Sequence, residues 1–181
     1  MQLRQAINLV EAKGKDKLEL IDLPYSQTAL APVMSAQTIK NHYGKLARGY
    51  VDRYNNNEGD AGFNEAGAYL HNIFFALLRE PRSGNRPSGP ALALINRRYG
   101  DFAKFQEEVA KTAMGIQGSG WVYMTRTGDI RTIPNHQIRK DIALLIDWWE
   151  HAWALDYGTD KRRYIKNIWR IIDWDAVNIR L

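Results

Sequence analysis

The stretch Ile142-Ala143-Leu144-Leu145-Ile146-Asp147-Trp148-Trp149-Glu150-His151 decides how the rest of the chain is read. Five apolar residues in a row, with no polar alternation, suit a short strand buried on both faces. Such a strand carries Asp147 into the interior, where an unpaired carboxylate costs on the order of several kcal/mol. A cation is needed beside it. The chain returns to helix from Glu150, so His151 stands close after the carboxylate and offers a nitrogen next to that oxygen.

Working outward, two further histidines fall on apolar helix faces. From Ser35, a suitable N-cap, Ile39, Tyr43, Leu46, Tyr50 and Tyr54 recur at helical spacing, and His42 lies with them. Residues 55–62 form a polar, glycine-containing break, which makes a helical hairpin of what flanks it. The second arm, residues 63–78, is apolar nearly all round and holds His71 in its middle. A single such histidine is better explained as a core residue with one hydrogen bond. Two facing arms that each present one, together with Asp147 and His151, favour a shared metal. Three neutral imidazoles and one carboxylate suit iron, manganese or zinc and leave a further position for solvent or substrate.

Around these elements, Leu23-Pro24-Tyr25 and Pro32 predict an extended lead-in. Residues 80–90 hold three prolines and two glycines, which sets the expected boundary between an N-terminal unit, 1–84, and a C-terminal unit, 85–181. Helices are expected over 91–99, stopped by Gly100, and over 102–114, opened by Asp101. A hairpin of strands follows over 121–126 and 130–133, with 142–146 as a third strand, before the helical tail. The expected class is α+β: an N-terminal α-helical hairpin, then an α/β lobe with a small three-stranded antiparallel sheet.

Composition removes other chemistries. The chain has no cysteine, so disulfides, thiolate zinc sites, cysteine-ligated iron–sulfur clusters and thiol nucleophiles are excluded together. The 25 Lys and Arg against 20 Asp and Glu give a net charge of +5, but the basic residues are scattered, which suits solvated faces better than a nucleic-acid stripe. Apolar runs fall short of the roughly 20 residues of a membrane helix. Residues 1–15 lack the uninterrupted apolar run of a secretory signal. A soluble cytoplasmic protein with neither a nucleic-acid nor a membrane partner is the expectation.

Several motifs, in order, resemble the iron/manganese superoxide dismutases over about residues 20–175. They are Asp22-Leu23-Pro24-Tyr25, Asn41-His42-Tyr43-Gly44-Lys45 with Tyr50, Phe63-Asn64 followed by His71 and Phe74, and Tyr99-Gly100-Asp101-Phe102. Gly118-Ser119-Gly120-Trp121, Asp147-Trp148-Trp149-Glu150-His151-Ala152, Ile168-Trp169 and Asp173-Trp174 complete the set. The resemblance implies one iron or manganese ion per chain, held by His42, His71, Asp147 and His151. It implies that Tyr50 gates the substrate funnel, that Trp121 and Trp149 wall the site, and that Glu150 pairs across a homodimer interface with a metal-ligating histidine. The implied activity converts superoxide to dioxygen and hydrogen peroxide, and a basic surface suits an anionic substrate.

The chain departs from the family pattern at named places. The glutamine that donates to solvent at the metal is absent from both its usual positions, which hold Gly67 and His136, so His136 takes the donor role. His136 at this place points toward iron, whereas Gly67 resembles the manganese type. Leu46 and Ala154 stand where the family has a histidine and a tyrosine that pair across the interface, and Lys161 replaces an arginine. His71 follows His42 by only 29 positions, so the hairpin is shortened at its tip and a dimer is expected rather than a tetramer. Two other readings remain at this point. One is a family member whose activity is reduced or lost and whose surface serves binding; the other, a His/Asp metallohydrolase, lacks an evident general base.

Overall fold

A computed structural model describes residues 17–181, so the expectations for residues 1–15 lie outside the described residues. Ser35 caps the first arm, its hydroxyl accepting from Thr38 N–H at 3.1 Å. Helix α1 (Ala36–Asn41) runs into a π turn (His42–Ala47) and then α2 (Arg48–Asn55). The π turn corrects the face expected from spacing. Ile39, His42, Ala47 and Tyr50 are buried, whereas Leu46 is 37% exposed. A wider turn lengthens the interval between buried positions, from His42 to Ala47, and rotates Leu46 outward. A straight α-helix would carry Tyr50 about 80° past His42. The π turn takes up that lag, and both rings face His71, with centroids 5.3 and 5.0 Å from it.

The second arm, α3 (Ala61–Ala76), begins and ends two residues before the expected 63–78. Asp60 sets its start by accepting from Phe63 N–H at 2.6 Å. Its end is set by the tail: Leu77 O accepts from Asp173 N–H at 2.8 Å and Leu78 bridges Ile172, so both leave the helix for strand-like pairing.

Helix α4 (Gly89–Tyr99) takes Pro90 into its first turn and stops at Gly100, whose φ of 89° favours glycine. Helix α5 (Phe102–Met114) is capped by Asp101, which accepts from Lys104 N–H. The three strands, β1 (Gly120–Thr125), β2 (Ile130–Pro134) and β3 (Ile142–Asp147), are antiparallel in the order β2-β1-β3. β1 lies one residue earlier than expected, and its register sets Trp121 opposite Asp147 on one side and Ile133 on the other. All six residues of β3 are buried, Asp147 included.

The tail is α6 (Glu150–Tyr157), α7 (Lys161–Asn167), a 3₁₀ turn (Ile168–Ile171) and α8 (Trp174–Arg180). It is broken by Gly158 and by the Ile172-Asp173 pairing with α3's end. The fold is thus a helical hairpin followed by an α/β lobe around a three-stranded antiparallel sheet. One apolar cluster runs from Ile39, Leu70 and Phe74 on the hairpin to Trp121, Leu145 and Trp148 on the sheet side. Among the described residues no helix is long and apolar enough to cross a membrane.

Candidate metal centre

The π turn, α3, the end of β3 and the start of α6 bring His42, His71, Asp147 and His151 together, with one donor atom of each within 4.8 Å of every other. Asp147 is divided between two tasks. Its Oδ1 accepts from Trp149 N–H at 2.8 Å, which pins the carboxylate. Its Oδ2 faces the three imidazoles, 3.0 Å from His42 Nε2, 3.2 Å from His151 Nε2 and 3.7 Å from His71 Nε2. The backbone carbonyl of Asp147 is held in turn by the Tyr164 hydroxyl at 3.0 Å, a contact 17 residues away that no local pattern announces.

His71 is oriented from behind. Its Nδ1 donates to Gly67 O at 2.7 Å, so the proton sits on Nδ1 and the Nε2 lone pair turns to the cluster. His42 packs on Phe74 and Phe75 and is fully buried. The Nε2 atoms of His42 and His71 are buried without a hydrogen-bond partner; the 3.0 Å approach of His42 Nε2 to Asp147 is out of hydrogen-bond alignment. His42 Nδ1 is unpartnered as well, and buried nitrogens left without a partner beside a carboxylate are what a bound cation would satisfy.

Electrostatics agrees. Burial holds the His42 imidazole below its ordinary range, and burial with the neighbouring His42 holds His71 well below it, so both are neutral near pH 7. Burial alone would push the Asp147 carboxyl up, yet the imidazoles beside it, His151 first and His42 after it, outweigh that and keep it ionised. An ionised carboxylate facing two neutral imidazoles calls for positive charge. Nitrogen and oxygen donors in this proportion fit iron, manganese or zinc.

Beside the cluster, Tyr50, His136 and Trp121 form a directional chain. Trp121 Nε1, which can only donate, reaches His136 Nδ1 at 3.2 Å and Asn135 O at 3.0 Å. His136 therefore carries its proton on Nε2, 2.9 Å from the Tyr50 hydroxyl oxygen. Burial pushes the His136 imidazole down to about 4, so it stays neutral at pH 7. Burial also raises the Tyr50 phenol, with Asp147 adding to the rise and Arg53 opposing it. Tyr50 thus keeps its own proton while accepting one hydrogen bond from His136.

Neighbours fix this chain. Trp149 stacks on His136 with centroids 4.5 Å apart and planes at 16°, and it also lies against His151 at 5.5 Å. Phe63, quoted above only as part of a motif, packs 4.8 Å from His136 and 6.0 Å from Tyr50. Gly67 gives the Tyr50 ring its seat: a Cβ there would meet Tyr50 Cγ and Cδ1 at 2.8 Å. Glu150 stands apart from the cluster. It lines an outer hollow of about 450 Å³ with Asn41, Lys45, Leu46, His151 and Ala154. His151, 17% exposed, is the member of the four that reaches it.

The family described as iron/manganese superoxide dismutases, alpha-hairpin domain, matches residues 17–61, and its C-terminal domain matches residues 87–180. A superoxide dismutase [Mn/Fe] of Porphyromonas gingivalis is 36% identical over 90% of this chain and 98% of its own length. A superoxide dismutase [Fe] of Bacteroides fragilis is 35% identical with the same coverage. A superoxide dismutase [Fe] of Pyrobaculum aerophilum is 31% identical over 88% of this chain and 89% of its own. By these matches to both domains and over most of its length, the chain belongs to the iron/manganese superoxide dismutases.

Proposed function

We propose that this chain dismutates superoxide with one iron or manganese ion held by His42, His71, Asp147 and His151. The observation that carries the reading is the convergence of three imidazole nitrogens on Asp147 Oδ2, with a hydrogen-bonded Tyr50 alongside. Two superoxide ions and two protons give one dioxygen and one hydrogen peroxide, and the one-electron couple this needs is what a bound ion supplies. The protein's own part is proton placement and exclusion of water. Tyr50 holds a proton on a hydroxyl whose lone pair is already engaged by His136, so that proton is free for another acceptor. Trp121, Trp149 and Phe63 enclose the pair in aromatic surface. Retention of Asp147 in the core argues against an inactive scaffold, because a buried carboxylate without a cation is costly.

The donor place taken by His136 supports iron over manganese. Metal analysis of the purified protein together with a superoxide-consumption assay tests the reading. One iron or manganese per chain and rapid consumption are expected; a metal-free or zinc-only protein with no consumption overturns it.

The same reading includes a homodimer through the outer hollow. Leu46 and Leu155, 37% and 58% exposed, flank it, and Glu150 lies next to His151 within it. Glu150→Ala is therefore expected to weaken both association and metal retention. Analytical ultracentrifugation checks this, and a stable wild-type monomer at micromolar concentration contradicts it.

A further inference from the structure

Arg53 has no task in the mechanism above, yet the structure holds it firmly beside the site. It stands on α2 less than a turn after Tyr50, with its guanidinium carbon 4.9 Å from the centroid of the Tyr50 ring. Its Nε donates to Asn64 Oδ1 at 3.1 Å. Asn64 is only 3% exposed, and its amide donates to Glu58 O at 2.9 Å, so the acceptor is itself fixed. Gly49 leaves the necessary space, since a Cβ there would meet Arg53 Nη1 at 2.9 Å. Among the described residues no carboxylate pairs with Arg53, and its Nη groups have no hydrogen-bond acceptor.

This differs from the arginine-lined hollow near the end of α3. There, Arg79 and Arg82 share about 270 Å³ with Glu80 and Asp173, and Arg79 lies 3.8 Å from Asp173. Its positive charge is met within the protein. That of Arg53 is not, and a guanidinium cannot lose its proton at any working pH.

We propose that Arg53 is a small-anion docking residue on the Tyr50 side of the metal centre, receiving a monoanion on its free Nη groups. On the dismutase reading, on which the natural ligand rests, that monoanion is superoxide. The fork is oriented through Nε, so it offers paired donors and not only a point charge. A half-buried cation beside a low-dielectric aromatic wall also concentrates anions more than an exposed lysine does.

The test uses the metal-loaded protein and azide as the monoanion probe, with binding followed by calorimetry at low and at moderate salt. Arg53→Gln is expected to weaken azide binding about threefold to tenfold at low salt and to flatten its salt dependence. Arg53→Lys is expected to restore the salt dependence but only part of the affinity, since it returns the charge without the paired donors. If the Gln variant loses metal, Arg53→Met provides a second uncharged side chain of similar length. Azide binding by the uncharged variant that equals wild type at both salt concentrations overturns the proposal. Superoxide consumption, measured in parallel, separates the two readings. Arg53-dependent azide binding without consumption would overturn the dismutase reading and leave the docking residue standing. Full consumption with no effect of Arg53 on either readout would overturn Arg53 alone.

Discussion

Asp147→Asn is expected to leave a folded protein that no longer retains its metal. The substitution keeps an oxygen for Trp149 N–H, which now bonds Oδ1 at 2.8 Å, and removes only the charge that faces His42, His71 and His151. Losing a partner that merely orients a ligand costs about 10- to 100-fold in metal affinity. Loss of the one anionic donor among three neutral ones should exceed that range, and superoxide consumption should fall with it. Folding should survive, because the metal-free variant no longer carries a fully buried carboxylate. Two measurements separate site loss from unfolding. Elemental analysis should fall from one ion per chain to a small fraction. Added iron or manganese should raise the wild-type melting temperature, by the equivalent of about 2.7 kcal/mol at a hundredfold excess over Kd, and leave the variant's unchanged. Stoichiometric metal in Asp147→Asn would remove Asp147 from the ligand set.

The chemistry of that site was legible in sequence because it depends on residue types whose burial is improbable. A carboxylate at the end of an all-apolar strand and histidines on apolar helix faces both violate the ordinary pattern, and such violations mark a site. The fold was legible for a related reason. Ser35, Asp101 and Gly100 are end signals whose physics is local, and each terminates the element expected of it.

What escaped was set by tertiary contact. The π turn at His42–Ala47 has no propensity signature, so the regular spacing placed Leu46 on the buried face. The end of α3 is decided by a pairing with Ile172 and Asp173, nearly a hundred residues downstream. Tyr164 and Arg53 act at the site's edge through contacts that only the folded chain creates. For Arg53 a signal was available: it lies three residues after Tyr50, where helical neighbours meet.

His136→Ala is expected to keep the metal, shift its potential and slow dismutation about 10- to 100-fold. Neither ring nitrogen of His136 is given to the four-residue cluster: Nδ1 faces Trp121 Nε1 and Nε2 faces the Tyr50 hydroxyl. Truncation therefore leaves all four donors in place. Trp121 is not orphaned, since its Nε1–H still reaches Asn135 O at 3.0 Å. The change falls on Tyr50, which loses the hydrogen bond that polarises its hydroxyl oxygen. A bond worth about 0.5–1.5 kcal/mol in one oxidation state and not the other corresponds to about 20–65 mV for a one-electron couple. Metal content within twofold of wild type, with a displaced potential, is the expected result. Loss of metal as complete as in His71→Ala would make His136 a ligand. Nor should a donor at position 67 restore the activity. In the double variant His136→Ala, Gly67→Gln, the new Cβ falls 2.8 Å from Tyr50 Cγ and pushes the ring off its seat. The double variant should be less stable by about 1–3 kcal/mol and no faster. Recovery of activity there would show that Tyr50 can do its work without the seat Gly67 provides.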